Sequence, residues 1–133
     1  MITNEIIKIA SNTKYYGLKN LFNYKSNYKN KKCGDIIKIE LVVKKDRISS
    51  MRYETESCVL CDASASILAN YINLFSISNL NRDIYMLSKY FRNNKIQMPK
   101  KYKIFKKILS NNNIDRFDCV MMPFYALKKA LKI

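Results

Sequence analysis

The sequence predicts an α+β fold, in which a small antiparallel sheet of about three strands packs against several helices. Two observations predict it. Residues 36–56 alternate between apolar and polar side chains, the pattern of a half-buried β-hairpin. Residues from about 61 to 131 instead place apolar side chains at helical spacing. Strands and helices are therefore segregated along the chain, which favours α+β over an alternating α/β architecture.

The length and composition predict one domain spanning residues 1–133. Hydrophobic residues make up 48% of the chain, which is enough to form one compact core. The chain has only two glycines and two prolines, and no linker-like stretch divides it. We therefore expect a single folded unit.

The first predicted element is a short helix over about residues 3–12. Ile6 and Ile9 lie near helical spacing, Thr3 is a candidate N-cap, and Glu5 falls in the first turn. An acidic residue there interacts favourably with the positive end of the helix dipole.

A short edge strand is predicted near residues 24–28, followed by the hairpin over 36–56 with its turn at 44–47. One face of each hairpin strand is apolar. The predicted inward-facing residues are Ile37, Ile39, Leu41 and Val43 in the first strand and Met51, Tyr53 and Thr55 in the second. Lys38, Glu40, Arg52 and Glu54 are assigned to the opposite face.

The second half of the chain is predicted to be helical, with a polar break at 76–79 and a turn at 111–113. The apolar stripes are Ala63, Ile67, Leu68 and Tyr71; Leu80, Ile84, Leu87 and Phe91; and, after Pro99, Tyr102, Phe105, Ile108 and Leu109. The last helix is predicted to begin close to Cys119. It ends with Lys128, Lys129 and Lys132, which suit the negative end of a helix dipole.

The formal net charge of +15 raises the question of a polyanionic partner. The lysines are spread along the whole chain and accompany many asparagines, isoleucines and tyrosines, a composition typical of an AT-rich coding bias. This distribution does not favour nucleic-acid binding, and an acidic protein partner accounts for the charge at least as well. The lysine excess thus either serves to bind a partner or only reflects the coding bias.

The N-terminal sequence lacks the basic start and apolar run of a secretory signal. No apolar stretch approaches the ~20 residues that span a bilayer. We therefore expect a cytoplasmic protein with no membrane partner. In a reducing compartment, its four cysteines are expected to be thiols, metal ligands or catalytic groups rather than disulfides.

Each cysteine falls at a predicted element boundary. Cys33 precedes the first hairpin strand, Cys58 and Cys61 lie where the second strand gives way to a helix, and Cys119 is near the start of the last helix. Such boundaries can converge at one edge of a small sheet. Helix N-termini also favour the thiolate form, which ligates metals. The alternative for any single cysteine is a small packed hydrophobic residue.

The chain contains no histidine, which excludes Ser/His/Asp and Cys/His catalysis and any histidine-ligated zinc site. A zinc ribbon needs two paired-cysteine knuckles, and only residues 58–61 form one. Metal ligation must therefore rest on thiolates and carboxylates. Three thiolates with one carboxylate suit zinc or iron with sulfide, the carboxylate being the weaker and more exchangeable ligand.

These motifs resemble those of the U-type scaffold family, which includes IscU, SufU and the NifU N-terminal domain. The resemblance rests on an ordered set: Cys33-Gly34-Asp35, two hairpin strands, Cys58 followed by Ala63-Ser64-Ala65-Ser66, and Cys119 leading into residues 126–131. It covers roughly residues 31–131. The stretches 56–68 and 119–131 most resemble a divergent bacterial branch with a Cys-Val-Leu-Cys segment, found here at 58–61.

The resemblance implies a SufE/IscU-like fold and a site made of Cys33, Asp35, Cys58 and Cys119. Family members accept sulfur from a cysteine desulfurase, combine it with iron, and pass the cluster to recipient iron–sulfur proteins or carriers. A transient 2Fe–2S cluster is the expected cargo. The SufU branch instead holds Zn²⁺ at this site and accepts persulfide sulfur.

The chain departs from the family pattern at three places. Asp118 stands where IscU-like members have a histidine before the last cysteine. The Leu-Pro-Pro-Val-Lys segment read by a dedicated chaperone is replaced by residues 113–117, so the resemblance does not extend to that partner. Cys61 is additional to the usual three cysteines, and is either a further or alternative ligand, a sulfur relay, or a packed residue.

Three functional hypotheses follow. The first is a non-enzymatic scaffold for iron–sulfur cluster assembly, in which Cys119 accepts the transferred sulfur. The second is an enzyme, a zinc-bound sulfurtransferase of SufU type. The third, more remote, is a basic nucleic-acid-binding module.

Overall fold

A computed structural model describes residues 2–133 and confirms the predicted α+β class. Four α-helices and three strands are present among these residues: α1 (Asn4–Ala10), β1 (Tyr24–Lys29), β2 (Ile36–Lys44), β3 (Arg47–Glu56), α2 (Val59–Asn70), α3 (Ile77–Arg92) and α4 (Phe117–Leu131). Short 3₁₀ segments lie at Ile72–Leu74, Lys100–Phe105 and Asn111–Arg116.

Helix α1 begins where the sequence predicts. The Thr3 hydroxyl accepts the Ile6 N–H at 3.2 Å, which satisfies one of the free donors of the first turn. Ile6 is the buried residue of this helix, and α1 packs against α2. The Ser66 hydroxyl of α2 donates to the Asn12 carbonyl at 3.0 Å, which ties the two elements together just beyond the end of α1.

The sheet is antiparallel throughout, with strand order β1-β2-β3. Strands β2 and β3 are joined by a tight turn in which Lys45 adopts a left-handed conformation, with φ of 58°. Val42 pairs with Ser50 but Val43 pairs with Ile48, so β3 carries one extra residue at this point. This bulge places Ile48 on the same buried face as Met51, although the two residues are an odd number apart.

The mainly polar face of the hairpin is less exposed than its sequence suggests. Glu40 lies on this face, opposite Arg52 on β3, but it is only 6% exposed. Its Oε1 atom accepts the N–H groups of Lys19 at 2.9 Å and Asn20 at 3.0 Å. Arg52 on β3 likewise donates to the carbonyl of Gly17 at 2.9 Å. The segment before β1 therefore covers the outer face of the sheet, and charged side chains of the sheet bind its backbone.

The region around residues 100–109 is not the α-helix that its apolar stripe suggested. It is a 3₁₀ segment over Lys100–Phe105 followed by turns. Tyr102 and Phe105 are nevertheless fully buried, because a spacing of three residues matches the three residues per turn of a 3₁₀ helix. Ile108 is buried in the turns that follow.

An aromatic cluster fills the core between the sheet and the helices. Phe75 stacks on Tyr102 with ring centroids 5.4 Å apart and meets Phe124 of α4 edge-on at 6.5 Å. The Tyr102 hydroxyl donates to the buried Asp83 of α3, so this carboxylate is not left unpaired in the core. The cluster locks the 3₁₀ segment to α3 and α4.

Helix α2 ends at Asn70, so Tyr71, assigned to its apolar stripe, lies beyond the helix and is 43% exposed. None of the helices formed by residues 2–133 is both long and apolar enough to cross a membrane.

Candidate metal centre

The loop between β1 and β2 carries the first two predicted ligands, Cys33 and Asp35, on either side of Gly34. Gly34 has φ of +77°, a conformation that L side chains rarely adopt, and its N–H donates to the Asn30 carbonyl at 2.8 Å. A Cβ atom built there would meet nothing within 4 Å. Glycine is thus needed for the backbone conformation and not for space.

Cys33, Asp35 and Cys119 converge on one point. One ligand atom from each of them lies within 4.8 Å of the other two. The Cys119 Sγ atom is 4.0 Å from Asp35 Oδ2, although the two residues are 84 positions apart in sequence. Cys33 is exposed, Asp35 is half-buried, and Cys119 is 7% exposed, so the group opens to solvent on the Cys33 side.

Cys58, the fourth predicted ligand, is bound to the same carboxylate through its backbone. It is the N-cap residue of α2, and its N–H donates to Asp35 Oδ2 at 3.3 Å. Its side chain is half-buried and is a close enough neighbour of Cys119 to raise the pKa of that thiol. Among the described residues, only three ligand atoms meet the 4.8 Å limit, and the Cys58 sulfur is outside that set. Cys58 therefore borders the group.

The pKa of Cys119 is raised to about 12, chiefly by burial and then by the neighbouring Cys58, Cys33 and Asp35 side chains, which disfavour another negative charge. Without a cation, Cys119 is therefore a thiol at neutral pH. A metal ion would favour the thiolate, so its binding must release protons.

Cys61 lies apart from this group. It is 0% exposed, belongs to the hydrophobic core, and has a pKa raised to about 12, chiefly by burial. It lies one helical turn after Cys58, in α2. These surroundings favour the packed-residue interpretation over a role as a further ligand or relay.

Asp62 supports the segment that carries Cys58, a role that the sequence analysis did not predict. Its Oδ1 atom accepts the hydroxyl of Thr55 and, at 3.1 Å, that of Ser57. Its carboxylate also lies in the first turn of α2, where negative charge is favourable. The available signal was an acidic residue at the start of a predicted helix, preceded by hydroxyl residues at the end of a strand.

Small residues of α2 position Cys119. The buried Ser64 hydroxyl donates to the Val120 carbonyl at 2.6 Å, which the small neighbours Ala63 and Ala65 allow by letting α2 and α4 approach closely. Pro123 lies inside α4 and has no N–H to donate to the Cys119 carbonyl four residues earlier. The first turn of α4 is therefore fixed by contact with α2 and lacks one helical hydrogen bond.

Asp118, in the place of the family's histidine, forms an ion pair with Lys32 at 3.4 Å. The pair joins the residue before Cys33 to the residue before Cys119. Both side chains are substantially exposed, so the pair contributes little to stability and its effect is local.

A cavity of about 480 Å³ adjoins the group and is lined by Cys33, Cys119, Lys32, Asp118, Arg92 and Phe117, among others. The Arg92 guanidinium lies over the Phe117 ring, 4.4 Å from its centroid. Thiolates are ligands for zinc or for iron with sulfide, and a carboxylate is compatible with either. The donor set thus fits either predicted occupant, a 2Fe–2S cluster or Zn²⁺.

Residues 1–85 match the family model of the NifU-like N terminal domain. Among solved structures, the chain is similar to a NifU-like protein (N-terminal) from Brucella abortus, at 16% identity and a TM-score of 0.82, covering 98% of this chain and 91% of that one. A putative iron–sulfur cluster assembly scaffold protein for the SUF system from Fervidobacterium islandicum is 18% identical with a TM-score of 0.82, at 98% and 96% coverage.

A third structure, of a hypothetical protein, is 19% identical with a TM-score of 0.71, covering 98% of this chain and 100% of that one. No curated protein matches the chain. At these identities the likeness to solved structures shows the shared fold.

Proposed function

The chain belongs to the family of NifU-like N-terminal domains, and on this premise we propose that it is a scaffold for iron–sulfur cluster assembly. In this proposal Cys33, Asp35, Cys58 and Cys119 hold the nascent cluster, with a 2Fe–2S cluster as the expected cargo. Sulfur comes from a cysteine desulfurase, and the finished cluster passes to recipient iron–sulfur proteins or carriers.

The observation that carries the proposal is the convergence of the Cys33, Asp35 and Cys119 ligand atoms within 4.8 Å. Three segments that are distant in sequence bring soft sulfur donors and one oxygen donor to a partly open site. A carboxylate oxygen is a weaker ligand for iron than a thiolate, which suits a cluster that must later leave.

We propose Cys119 as the sulfur acceptor. In this step the Cys119 thiolate attacks the outer sulfur of the desulfurase persulfide, the donor's S–S bond breaks, and the donor cysteine leaves as a thiolate. Cys119 becomes a persulfide, with no net oxidation or reduction. Because burial holds Cys119 as a thiol, the step requires loss of its proton as the sulfur arrives. Mass spectrometry of Cys119→Ser and Cys33→Ser after incubation with desulfurase and cysteine tests this assignment.

Cluster transfer is the experiment that tests the scaffold function. The reconstituted protein is mixed with an apo-ferredoxin, with and without a chelator that captures free iron. A scaffold transfers its cluster at a rate that the chelator leaves unchanged, because the cluster moves between bound states. Transfer abolished by the chelator would mean that the cluster had simply decomposed, and would reject the proposal.

The second candidate is the zinc-bound sulfurtransferase, which the all-Cys/Asp donor set also favours. When bound, Zn²⁺ would be held by Cys33, Asp35, Cys58 and Cys119 and would favour the thiolate form of the attacking cysteine. This candidate predicts one tightly held zinc per chain and a desulfurase turnover that rises when the protein is added. Unchanged turnover would exclude it.

The site's surroundings do not favour a dedicated chaperone as a partner. The segment that replaces the chaperone-read motif lies mainly in the 3₁₀ turn Asn111–Arg116, and Asn113 is 3% exposed. Its side chain donates to the Ile108 carbonyl at 3.1 Å. A chaperone that bound this segment as an extended peptide would have to break this buried contact.

A further inference from the structure

A second concave surface, the lysine groove, lies beside the metal centre. It is lined by Lys29, Lys31, Lys32 and Lys129 and by the aromatic residues Tyr28 and Tyr125, among others. The groove has a volume of about 670 Å³. The two tyrosine side chains are half-buried, and their ring centroids are 5.7 Å apart.

The groove has an excess of positive charge. Asp118 is the acidic residue in its lining, and it is already paired with Lys32. Lys29 and Lys31 are exposed, and within residues 2–133 neither makes an ion pair. Lys129 is exposed and donates to the Asn27 carbonyl, a neutral partner that leaves its charge uncompensated. Three lysine charges are therefore available to an anionic ligand.

The groove is continuous with the cavity at the metal centre, because Asn30, Lys32 and Asp118 line both. Cys33 is the exposed thiol of the candidate ligand group and lies directly after Lys32. A chain bound along the groove therefore has one end next to Cys33.

We propose that the lysine groove docks an acidic segment of the protein that donates sulfur, and so delivers its reactive cysteine to the Cys33 side of the site. This inference rests on the proposed function. A protein segment fits better than nucleic acid, because the groove leads to the exposed Cys33 thiol and a sulfur donor must bring its own cysteine to this position.

The test uses a glutamate-rich peptide of about eight residues, roughly 27 Å when extended, with a terminal cysteine blocked as a mixed disulfide with thionitrobenzoate. Cys33 attacks the peptide sulfur, a Cys33–peptide S–S bond forms, the original S–S bond breaks, and coloured thionitrobenzoate leaves. The Cys33 proton goes to solvent. A peptide with glutamine in place of glutamate is the matched probe.

We expect the glutamate peptide to react at least about tenfold faster than the glutamine peptide at low salt, since charge complementarity of this kind accelerates encounter by one to three orders of magnitude. The triple variant Lys29→Glu, Lys31→Glu, Lys129→Glu removes this advantage. The variant Lys100→Glu, Lys103→Glu, Lys106→Glu has the same net charge change at exposed lysines elsewhere and retains it. Cys33→Ser abolishes the rapid phase.

Equal loss in both triple variants would mean that only the overall charge matters, and would overturn the proposal. Competition by a single-stranded oligonucleotide, with the same dependence on the groove lysines and a tighter affinity than the peptide, would also overturn it in favour of nucleic acid. With inorganic sulfide in place of the desulfurase, the groove variant should still assemble wild-type iron and sulfide. A failure of cluster assembly in the wild type would count against the proposed function. The peptide measurement does not depend on cluster assembly and would still test the groove.

Discussion

The carboxylate of Asp35 accepts the backbone N–H of Cys58 at 3.3 Å. The carboxylate of a candidate metal ligand thereby holds the N-cap residue of α2 in place. The same oxygen lies 4.0 Å from the Cys119 sulfur. Asp35 is therefore both an oxygen donor for a metal and the contact that joins the two other ligand-bearing segments.

Asp35→Ala should retain a reconstituted cluster longer than the wild type. The substitution removes the exchangeable oxygen ligand, and we expect loss to a chelator to slow by about tenfold, equivalent to about 1.4 kcal/mol. The decay of the cluster's visible absorbance measures it. Asp115→Ala, at an exposed position lining the cavity, serves as the matched control. Faster loss from Asp35→Ala would mean that its contact with Cys58 matters more than its lability as a ligand.

The four cysteines should react with iodoacetamide in an order set by exposure and pKa. Cys33 is exposed and should react first, whereas Cys61 is fully buried with a pKa raised to about 12 and should react last. Cys119, at 7% exposed with a similarly raised pKa, should also be slow. Peptide mapping by mass spectrometry gives the order. Reaction of Cys61 as fast as that of Cys33 would contradict its packed position in α2.

The free energy of unfolding should fall as the pH rises above about 9, in part because of Cys61. Its pKa is raised from 9.0 to about 12 in the folded state, so the unfolded chain loses this proton first. The stability that the buried thiol contributes is present below pH 9 and is lost as the pH rises toward 12.

Cys61→Ala should make this alkaline decline shallower, by up to about 1.4 kcal/mol per pH unit for one proton. Urea denaturation at a series of pH values measures the slope. Part of the decline should persist in the variant, because burial also raises the pKa of Tyr53 and Tyr125. Identical slopes in the two proteins would show that Cys61 does not titrate as its burial requires.

Asp62→Ala should destabilise the fold and loosen Cys58. The substitution leaves the Thr55 and Ser57 hydroxyls without their carboxylate acceptor, at a cost of about 1–3 kcal/mol. Denaturation measures the stability, and Cys58 should be alkylated faster in the variant. A decrease in the free energy of unfolding no larger than the ~0.5 kcal/mol typical of an exposed surface substitution would show that Asp62 does not support this segment.

Much of the fold could be predicted from the sequence because its strongest signals are periodic. The hairpin follows from alternation over residues 36–56, and α2, α3 and α4 follow from stripes that have the helical period. The spacing of Tyr102 and Phe105 was ambiguous, because an interval of three residues fits either an α-helix or the 3₁₀ segment that forms. The buried position of Glu40 depends on a loop from residues 19–20, which no local pattern in β2 reveals.

Sequence motifs could identify the candidate ligands, but they could not show how close these residues lie to one another in space. The structure brings Cys33, Asp35 and Cys119 together and sets Cys58 beside them. Asp62 and the Lys32–Asp118 pair were not predicted, since both depend on contacts between separate elements. The burial of Cys61 depends on the rotation of α2 against the core, which the weakly amphipathic sequence of that helix does not determine.

The most direct test of the central claim is anaerobic reconstitution with iron, cysteine and a desulfurase, followed by iron, zinc and acid-labile sulfide analysis of one sample. For a scaffold, we expect equal iron and sulfide in the wild type. We expect loss of both in Cys33→Ser, Cys58→Ser or Cys119→Ser, and retention in Cys61→Ser, the matched cysteine control. Stoichiometric zinc without labile sulfide would contradict the scaffold and favour the sulfurtransferase, and no bound metal in the wild type would contradict both.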